Sequence, residues 1–420
     1  MQDAPALLHR LFERAVAVAD PMQSLARVLP PRPDGRVVVV GAGKASARMA
    51  EAVEAAWGPC EGLIITRYGY GRPTAGIEIV EAAHPIPDAA GAEATARMLA
   101  LLEGLGEGDF VLALISGGGS ALLTAPAGDI TLAEKQALTD ALLASGAPIG
   151  TLNAIRKQIS QVKGGRLAAA AWPARMLALM ISDVPGDDPG DIASGPTVGQ
   201  AGDAAGALAA LDRWSVKAPD SVTAFLRAGG DPLAPSDPRL GGVENVIFAA
   251  PAQSLAAAAE LAREDGIEAR ILGDALEGEA REVARAHAAL ALETQAGMAA
   301  EDAPVLLLSG GELTVTRTGD GTGGPNAEYA LALGIALQGA PGIHALACDT
   351  DGVDGAAEVA GAAFGPDLPE RARARGIDPE AALARNDAHG FFAAVDGQVV
   401  TGPTLTNVND FRAILVHPPA

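Results

Sequence analysis

The sequence contains few cysteines, few aromatic residues and no long apolar run. Cys60 and Cys348 are the two cysteines among 420 residues, too few for a disulfide framework, and their spacing does not suit a metal site. No apolar run approaches the roughly 18 residues that a membrane-spanning helix needs, and the amphipathic N-terminal segment lacks the pattern of a signal peptide. These absences predict a cytoplasmic protein that binds no membrane.

Positive charge is also scarce. The formal net charge is −22, which argues against general affinity for nucleic acid or for an anionic membrane surface. Five of the 30 basic residues are lysines, and three of these, Lys44, Lys157 and Lys163, lie in glycine-rich or polar segments. Because the net charge repels an anionic substrate at long range, cations that bind one must be placed locally.

Glycine, by contrast, is abundant and stands beside polar residues in five short clusters. Each cluster directly follows an apolar run that is typical of a buried strand, and together they span residues 41–46, 116–120, 182–188, 309–312 and 349–355. The carboxyl ends of parallel strands meet at one edge of a sheet, where ligands bind. Glycine also lets the backbone turn its N–H groups toward an anion. The clusters therefore predict phosphate chemistry.

Strands alternate with helical segments in both halves of the chain, which predicts α/β domains with mainly parallel, doubly wound sheets. Residues 229–242 (GGDPLAPSDPRLGG) have the strongest linker composition. We therefore expect an N-terminal Rossmann-like domain over residues 1–238 and a C-terminal α/β domain over 239–420. A cleft between two such domains is the natural place for an active site.

The first cluster reads GAGKAS and resembles a dinucleotide-binding turn only weakly. A GxGxxG pattern needs glycine at Ser46, and the strand ending at Thr66 offers no acidic partner for a ribose. Arg67 could instead meet a 2′-phosphate, so an NADP-binding interpretation remains open. Lys44 opens a helix, where an ammonium group and the helix N-terminus can act on the same phosphate or carboxylate.

The second cluster, SGGGS, has three consecutive glycines, which favours a loop that holds an anion through its N–H groups. A GxSxG nucleophile elbow is absent, which lowers a serine-hydrolase interpretation. The third and fifth clusters are rich in aspartate. Magnesium is usually held by one or two carboxylates together with water and substrate phosphates, so either cluster is a candidate metal site.

The ordered motifs resemble the glycerate 2-kinase family, whose C-terminal half carries a MOFRL-type region, in this sequence at about residues 303–415. The matching segments are VVVVGAGKAS, EAAHPIPD, LISGGGSALL, NAIRKQISQVKGGRLA, LMISDVPGDDPGDIASGPT, LLLSGGELTV, GGPNAEYALAL, DTDGVDG and TGPTLTNVND. The resemblance implies two α/β domains and transfer of the ATP γ-phosphoryl group to the C2 hydroxyl of D-glycerate, with Mg²⁺. One departure is Pro325, where the family usually has arginine.

The resemblance and the motifs together suggest roles for individual residues. The catalytic candidates are Lys44, Asp187 and Asp351. The substrate-binding candidates are Lys44, Ser116, Arg156 and Asn407. The nucleotide-binding candidates are Gly117, Gly118, Gly119, Ser120, Lys163, Gly311 and Glu312. The candidate Mg²⁺ ligands are Asp183 and Asp187, and which aspartate accepts the hydroxyl proton is left open.

Two other functions remain as alternatives. Family members are often labelled hydroxypyruvate reductase, and an NADP-dependent reductase would use the first glycine cluster. A non-catalytic metabolite-binding protein is the other alternative, although such a protein has no need for carboxylates beside phosphate-type loops. The oligomeric state is open, with a homodimer as one option.

Overall fold

The structure is a computed structural model that describes residues 3–355 and 357–419. The chain forms two compact units. We call Ser24–Phe248 the N-terminal unit, and Met1–Gln23 together with Ala249–Ala420 the C-terminal unit.

The helices of both units are numbered in chain order. They are α1 (Ala4–Ala19), α2 (Pro21–Ser24), α3 (Ser46–Trp57), α4 (Ala89–Leu102), α5 (Gly119–Leu122), α6 (Leu132–Ala144), α7 (Ile149–Gln158), α8 (Arg166–Ala171), α9 (Ala204–Arg213), α10 (Asp220–Arg227), α11 (Pro251–Glu264), α12 (Ala280–Ala296), α13 (Pro325–Leu337), α14 (Leu368–Arg375), α15 (Pro379–Ala384) and α16 (Ala388–Ala394). Single 3₁₀ turns cover Leu25–Arg27, Ile192–Ser194 and Pro238–Leu240. Among the described helices, none combines the length and the apolar composition needed to cross a bilayer.

The strands are numbered in the same way. They are β1 (Val37–Ala42), β2 (Glu61–Arg67), β3 (Ile77–Ala82), β4 (Phe110–Ile115), β5 (Arg175–Ile181), β6 (Val243–Ala249), β7 (Glu268–Gly273), β8 (Gly278–Glu279), β9 (Val305–Ser309), β10 (Leu313–Thr314), β11 (Ile343–Asp349), β12 (Gly361–Phe364), β13 (Gln398–Val399) and β14 (Asp410–Val416).

The N-terminal unit is built on a six-stranded sheet of order β3-β2-β1-β4-β5-β6. The pairs from β3 through β5 are all parallel. Every residue of β1 and of β4 is buried, as expected for central strands of a parallel sheet that is covered on both faces. The predicted α/β class is confirmed, and the sheet has the parallel, doubly wound form expected for this half of the chain.

The C-terminal unit has a six-stranded sheet of order β13-β12-β11-β14-β9-β7, but it is not mainly parallel as expected. Four of its five pairings are antiparallel, and β7 with β9 is the parallel one. A parallel pair needs a crossover connection that is usually helical, whereas the described residues between β11 and β12 include no helix. The connection therefore allows the antiparallel pairing.

The N-terminal helix α1 belongs to the C-terminal unit, although the sequence pattern grouped residues 1–238 together. Its apolar face joins a core cluster with α11 and the sheet strands β9, β11 and β14. Leu11 and Phe12 are buried there, and the Ser254 hydroxyl of α11 donates to the Ala15 carbonyl oxygen at 2.8 Å. The amphipathic pattern predicted the helix, but a pattern does not identify the surface that covers its apolar face.

Candidate functional site

The three polar loops of the N-terminal unit lie at one edge of its sheet. β4 lies between β1 and β5, and all three strands run parallel. Their carboxyl ends therefore bring Lys44, the glycine loop at 116–119 and the aspartate-rich loop at 182–191 to the same edge. This placement agrees with the expectation from the sequence and defines the candidate site of this unit.

The loops after β1 and β4 are locked together by hydrogen bonds. The Lys44 N–H donates to the Gly117 carbonyl oxygen at 2.8 Å, and the Ala45 N–H donates to Ser116 Oγ at 3.0 Å. A Cβ on Gly43, whose φ is +149°, would lie 2.0 Å from Ser116 Oγ. The Ser116 side chain is fully buried and holds the two loops together, so a contact between this side chain and substrate stays a prediction.

Gly118 lies between two polar side chains that are half-buried. Its φ of +80° is in the left-handed region, and a Cβ there would lie 3.1 Å from His84 Nε2 and 3.2 Å from Lys44 Cγ. Among the described residues, the N–H groups of Gly117 and Gly118 have no hydrogen-bond acceptor. Two adjacent N–H groups beside an ammonium side chain suit an anionic ligand. His84 also lies beside this pair of N–H groups, although no role for it was predicted from the sequence.

A hydroxyl pair connects the glycine loop to the loop after β5. Ser120 Oγ lies 2.6 Å from Ser194 Oγ, and the Ser194 hydroxyl donates to Asn153 Oδ1 at 3.4 Å. Ala193 and Ser194 both have left-handed backbone angles, with φ of 53° and 62°. Strained non-glycine residues cluster at functional sites. Ser194 was not predicted from the sequence, where its only signal is proximity in the chain to the aspartate cluster.

The structure separates the four aspartates of this loop by what their carboxylates bind. Asp188 Oδ1 accepts from the Gly190 N–H at 2.7 Å, and Asp191 Oδ1 lies 3.5 Å from Lys157 Nζ. Asp187 is different, because its Oδ1 is buried and accepts no hydrogen bond from the described residues. Asp187 also has a left-handed backbone, with φ of 54°. A buried carboxylate oxygen without a donor suits a metal ion or a substrate hydroxyl.

The aspartate carboxylates of the loop after β5 suit magnesium better than a metal ion that is bound by protein side chains alone. Within the described ranges, no group of three or more His, Cys, Asp or Glu side chains has the arrangement of a metal site. Magnesium needs only one or two carboxylates when water and phosphate oxygens complete its shell. Asp183, which is half-buried just past the end of β5, and Asp187 stay the predicted Mg²⁺ ligands.

The predicted cations Arg156 and Lys163 occupy different environments. Lys163 is fully buried, and its Nζ donates to the carbonyl oxygens of Ser120 at 2.8 Å and Leu123 at 3.0 Å. Burial lowers the pKa of Lys163 well below its ordinary value, and it also lowers the pKa of half-buried Arg156. Lys163 therefore supports the glycine loop from within, and a direct contact between Lys163 and nucleotide stays a prediction.

In the C-terminal unit, the loop after β9 is held by a buried arginine. The Arg412 guanidinium donates to the carbonyl oxygens of Gly310 and Gly311, to Ser309 Oγ at 3.3 Å and to Asp410 Oδ2 at 2.7 Å. Burial raises the pKa of Asp410, and the Arg412 charge opposes this shift. Neither residue was predicted from the sequence, where Asp410 is the last residue of the TNVND motif and Arg412 follows two positions later. They fix the backbone that carries Gly311 and the exposed Glu312.

The loop at 349–355 lies at the same end of this sheet, because Asp349 pairs with Asp410 across β11 and β14. Asp354 belongs to the fifth cluster, a candidate metal site, but its carboxylate accepts from the N–H groups of Asn326 at 3.0 Å and Ala327 at 2.8 Å. It thus caps the N-terminus of α13, and His389 Nε2 lies 3.1 Å from it.

The two other predicted residues near this loop are both buried. Asp351 Oδ1 accepts from the Val353 N–H at 2.7 Å, and Asn407 Oδ1 accepts from the Asn409 N–H at 3.3 Å. Both side chains therefore stabilise local turns, and their roles in catalysis and substrate binding stay predictions.

Comparisons with known proteins match both halves of the chain to families and the whole chain to relatives with two different names. Residues 7–227 match a family described as a domain of unknown function (DUF4147), and residues 305–410 match the MOFRL family. The chain is 36% identical over 403 residues to the D-glycerate 2-kinase of Thermotoga maritima, covering 95% of each chain. It is 50% identical over 416 residues to an Agrobacterium vitis protein provisionally named hydroxypyruvate reductase, covering 98% of this chain and 94% of that protein.

A solved structure agrees with these matches. The crystal structure of a glycerate kinase from Thermotoga maritima is similar to this fold with a TM-score of 0.87 and 35% sequence identity. The match covers 98% of this chain and 99% of that one.

Proposed function

The chain belongs to the glycerate 2-kinase family, and on that premise we propose that it transfers the γ-phosphoryl group of ATP to the C2 hydroxyl of D-glycerate. The bond between the γ-phosphorus and the β–γ bridging oxygen breaks, and a bond from phosphorus to the C2 oxygen forms. The hydroxyl proton passes to a base, and the products are 2-phosphoglycerate and ADP. The choice of C2 rather than C3, the use of Mg²⁺ and a cytoplasmic location are parts of the proposal, and a homodimer stays a prediction.

The observation that carries the proposal is the environment of the Asp187 carboxylate. Its unpaired buried carboxylate oxygen and its left-handed backbone occur at the sheet edge that also carries Lys44 and the Gly117–Gly118 N–H groups. Phosphoryl transfer needs positive charge and N–H donors for phosphate oxygens, together with a carboxylate for a metal ion or a proton. This edge of the sheet supplies all of these groups.

Each group has a role in the proposed reaction. Lys44 and the glycine loop bind and orient the anionic groups of the two substrates, and Arg156 adds positive charge. Asp183 and Asp187 would hold Mg²⁺, which supplies neutralisation of the phosphate charge when bound. Because catalysis of this reaction is mainly positioning and charge stabilisation, the rigid hydrogen bonds between the β1 and β4 loops serve it directly.

The names of some relatives favour a second candidate, an NADP-dependent hydroxypyruvate reductase. Arg67 at the end of β2 would be the partner of a 2′-phosphate, and its guanidinium stacks on the Tyr70 ring at 5.3 Å. Against this candidate, Ser46 replaces the third glycine of the fingerprint, and its buried hydroxyl donates to the Leu114 carbonyl oxygen at 2.9 Å.

One assay separates the two functions. The purified protein is incubated with D-glycerate, ATP and Mg²⁺, ADP release is followed, and the product is identified by ³¹P and ¹³C NMR. A parallel reaction with hydroxypyruvate and NADPH is followed by loss of NADPH absorbance. We expect ADP release with 2-phosphoglycerate as product and no NADPH oxidation. Oxidation of NADPH without ADP release would refute the kinase, and 3-phosphoglycerate as the product would refute the C2 assignment alone.

A further inference from the structure

Three cationic side chains near the segment that follows the glycine loop, Lys135, Lys163 and Arg156, are close enough to act on one another electrostatically. Lys135 on α6 is 4% exposed, Lys163 is fully buried, and Arg156 on α7 is half-buried. Among the described residues, none of the three lies within ion-pair distance of an acidic side chain. In a chain with a net charge of −22, such a concentration of unpaired positive charge is unexpected.

Both lysines bind the segment that follows the glycine loop. Lys163 Nζ donates to the carbonyl oxygens of Ser120 and Leu123, and Lys135 Nζ donates to the hydroxyl of Thr124. These oxygens are neutral acceptors, so they satisfy the N–H groups without neutralising the charge. The three cations therefore repel one another. Burial and the Arg156 charge lower the pKa of Lys135 to about 8, and the Lys135 and Arg156 charges add to burial in lowering the pKa of Lys163.

Stability of the fold does not explain this arrangement. Burying an unpaired charge destabilises a protein, and even buried ion pairs can often be replaced by apolar side chains of similar size without loss of stability. A neutral hydrogen-bond donor would serve Thr124 as well. The positive charge itself must therefore have a use, and the natural use is to attract an anion.

The position of Arg156 on α7 indicates which side of the Ser120 loop such an anion would meet. Arg156 and Asn153 are three residues apart on α7 and so lie on one face of the helix. Asn153 on this face contacts Ser194, which in turn contacts Ser120. The half-buried guanidinium thus lies on the side of α7 that meets the Ser120 loop, and the two buried ammonium groups lie behind that loop.

We infer that Lys135, Lys163 and Arg156 form one oxyanion site, in which Arg156 contacts the ligand and Lys135 is a buried positioning residue. The ligand is a carboxylate or phosphate group of a reactant, and this identification rests on the proposed function. Lys135 strengthens anion binding through its charge and through its hold on Thr124, so its charge improves affinity at the expense of stability.

The test compares Lys135→Met with Lys217→Met, which removes the same charge from an exposed position of the same unit. Thermal unfolding is measured in three conditions without ATP: no ligand, D-glycerate alone, and inorganic phosphate alone. We expect Lys135→Met without ligand to unfold at the wild-type temperature or above it. We also expect it to need about tenfold more ligand for the same rise in Tm, because the attraction of a charge roughly 10 Å away, at an effective dielectric constant of about 20, changes affinity by about this factor. Lys217→Met should match the wild type in every condition.

The two ligand arms identify the source of the oxyanion, since D-glycerate supplies a carboxylate and inorganic phosphate mimics the transferred group. A Lys135→Met protein that loses stability but keeps the wild-type ligand dependence would overturn the inference, as would a wild type that neither ligand stabilises. If Lys135→Met fails to fold, Arg156→Met gives the decision, since it must also raise the ligand concentration needed. No step of this test requires turnover, so it can succeed or fail separately from the kinase proposal.

Discussion

Replacement of Asp187 by asparagine tests the proposed reaction most directly. Asparagine keeps the size of the side chain and tolerates the left-handed backbone of this position, with φ of 54°, so the loop should keep its conformation. The change removes the charge from an oxygen that is buried without a donor. If this carboxylate holds the metal ion or accepts the proton, kcat should fall about 100-fold or more. That corresponds to about 2.7 kcal/mol of lost transition-state stabilisation.

The thermal stability of Asp187→Asn should not fall together with its kcat. Because a carboxylate oxygen that is buried without a donor is unfavourable, Asp187→Asn should unfold at the wild-type temperature or slightly above it. Asp187→Ala should unfold at a lower temperature than Asp187→Asn, since alanine in the left-handed region costs roughly 1 kcal/mol more. These measurements separate loss of chemistry from loss of structure.

The neighbouring residue provides the matched control. Asp188→Asn removes the same charge one position along the chain, where the carboxylate accepts from the Gly190 N–H. We expect its kcat to stay within about threefold of the wild type, as for a surface change away from the chemistry. Initial rates of ADP release at saturating D-glycerate, ATP and Mg²⁺ decide the matter. Equal kcat values for Asp187→Asn and Asp188→Asn would refute the role of Asp187.

Lys44→Ala should lower kcat/KM for D-glycerate about ten- to two-hundredfold, because one charge-assisted hydrogen bond of about 1.5–3 kcal/mol is lost, and Lys44→Arg should recover only part of this loss. Wild-type values of kcat/KM for both variants would refute the role of Lys44 in substrate binding. Arg412→Met should lower the free energy of unfolding in urea by about 3–5 kcal/mol, because Asp410 is left buried without its ion-pair partner, and adding Asp410→Asn should restore part of this loss. A double variant whose loss equals the sum of the losses of the two single variants would show that the pair is not coupled. Burial lowers the pKa of His287 to about 4 from 6.5, so between these pH values the unfolded state binds the proton more readily than the folded state. The free energy of unfolding should therefore fall as the pH drops from 6.5 toward 4, by up to about 3 kcal/mol in total. His287→Gln should lose this part of the acid sensitivity, and an unchanged pH profile of Tm would contradict the reasoning.

The parallel sheet of the N-terminal unit and its loops could be predicted because their signals are local. β1, β4 and β5 are continuous apolar runs, and each is followed at once by a loop of glycine or aspartate residues. The topology then requires these loops to meet at one edge. In the C-terminal unit, the antiparallel pairing of β11 with β14 depends on contacts between distant segments, which a strand pattern does not specify.

Within the candidate site, residue types were predictable but their partners were not. Four aspartates in nine residues look equivalent in the sequence, and only the structure shows that Asp188 and Asp191 already have partners while a buried oxygen of Asp187 has none among the described residues. Lys135 was missed for a similar reason. It lies in an ordinary helix, and its importance comes from the distant residues Thr124 and Arg156 that surround it.

Because α1 belongs to the C-terminal unit, the two units differ in when they can fold during synthesis on the ribosome. The N-terminal unit is a contiguous insertion, Ser24–Phe248, within the sequence of the other unit, so it can complete its fold while the ribosome still holds the rest of the chain. Helix α1 emerges before α11 and β14, which are the partners of Leu11 and Phe12, and can pack only when they have been synthesised. Until then its apolar face is available to chaperones. A fragment that begins at Ala249 would lack this helix and expose the surface that it covers. A circular permutant that joins residue 420 to residue 1 and opens the chain between residues 23 and 24 would instead keep each unit continuous in the sequence.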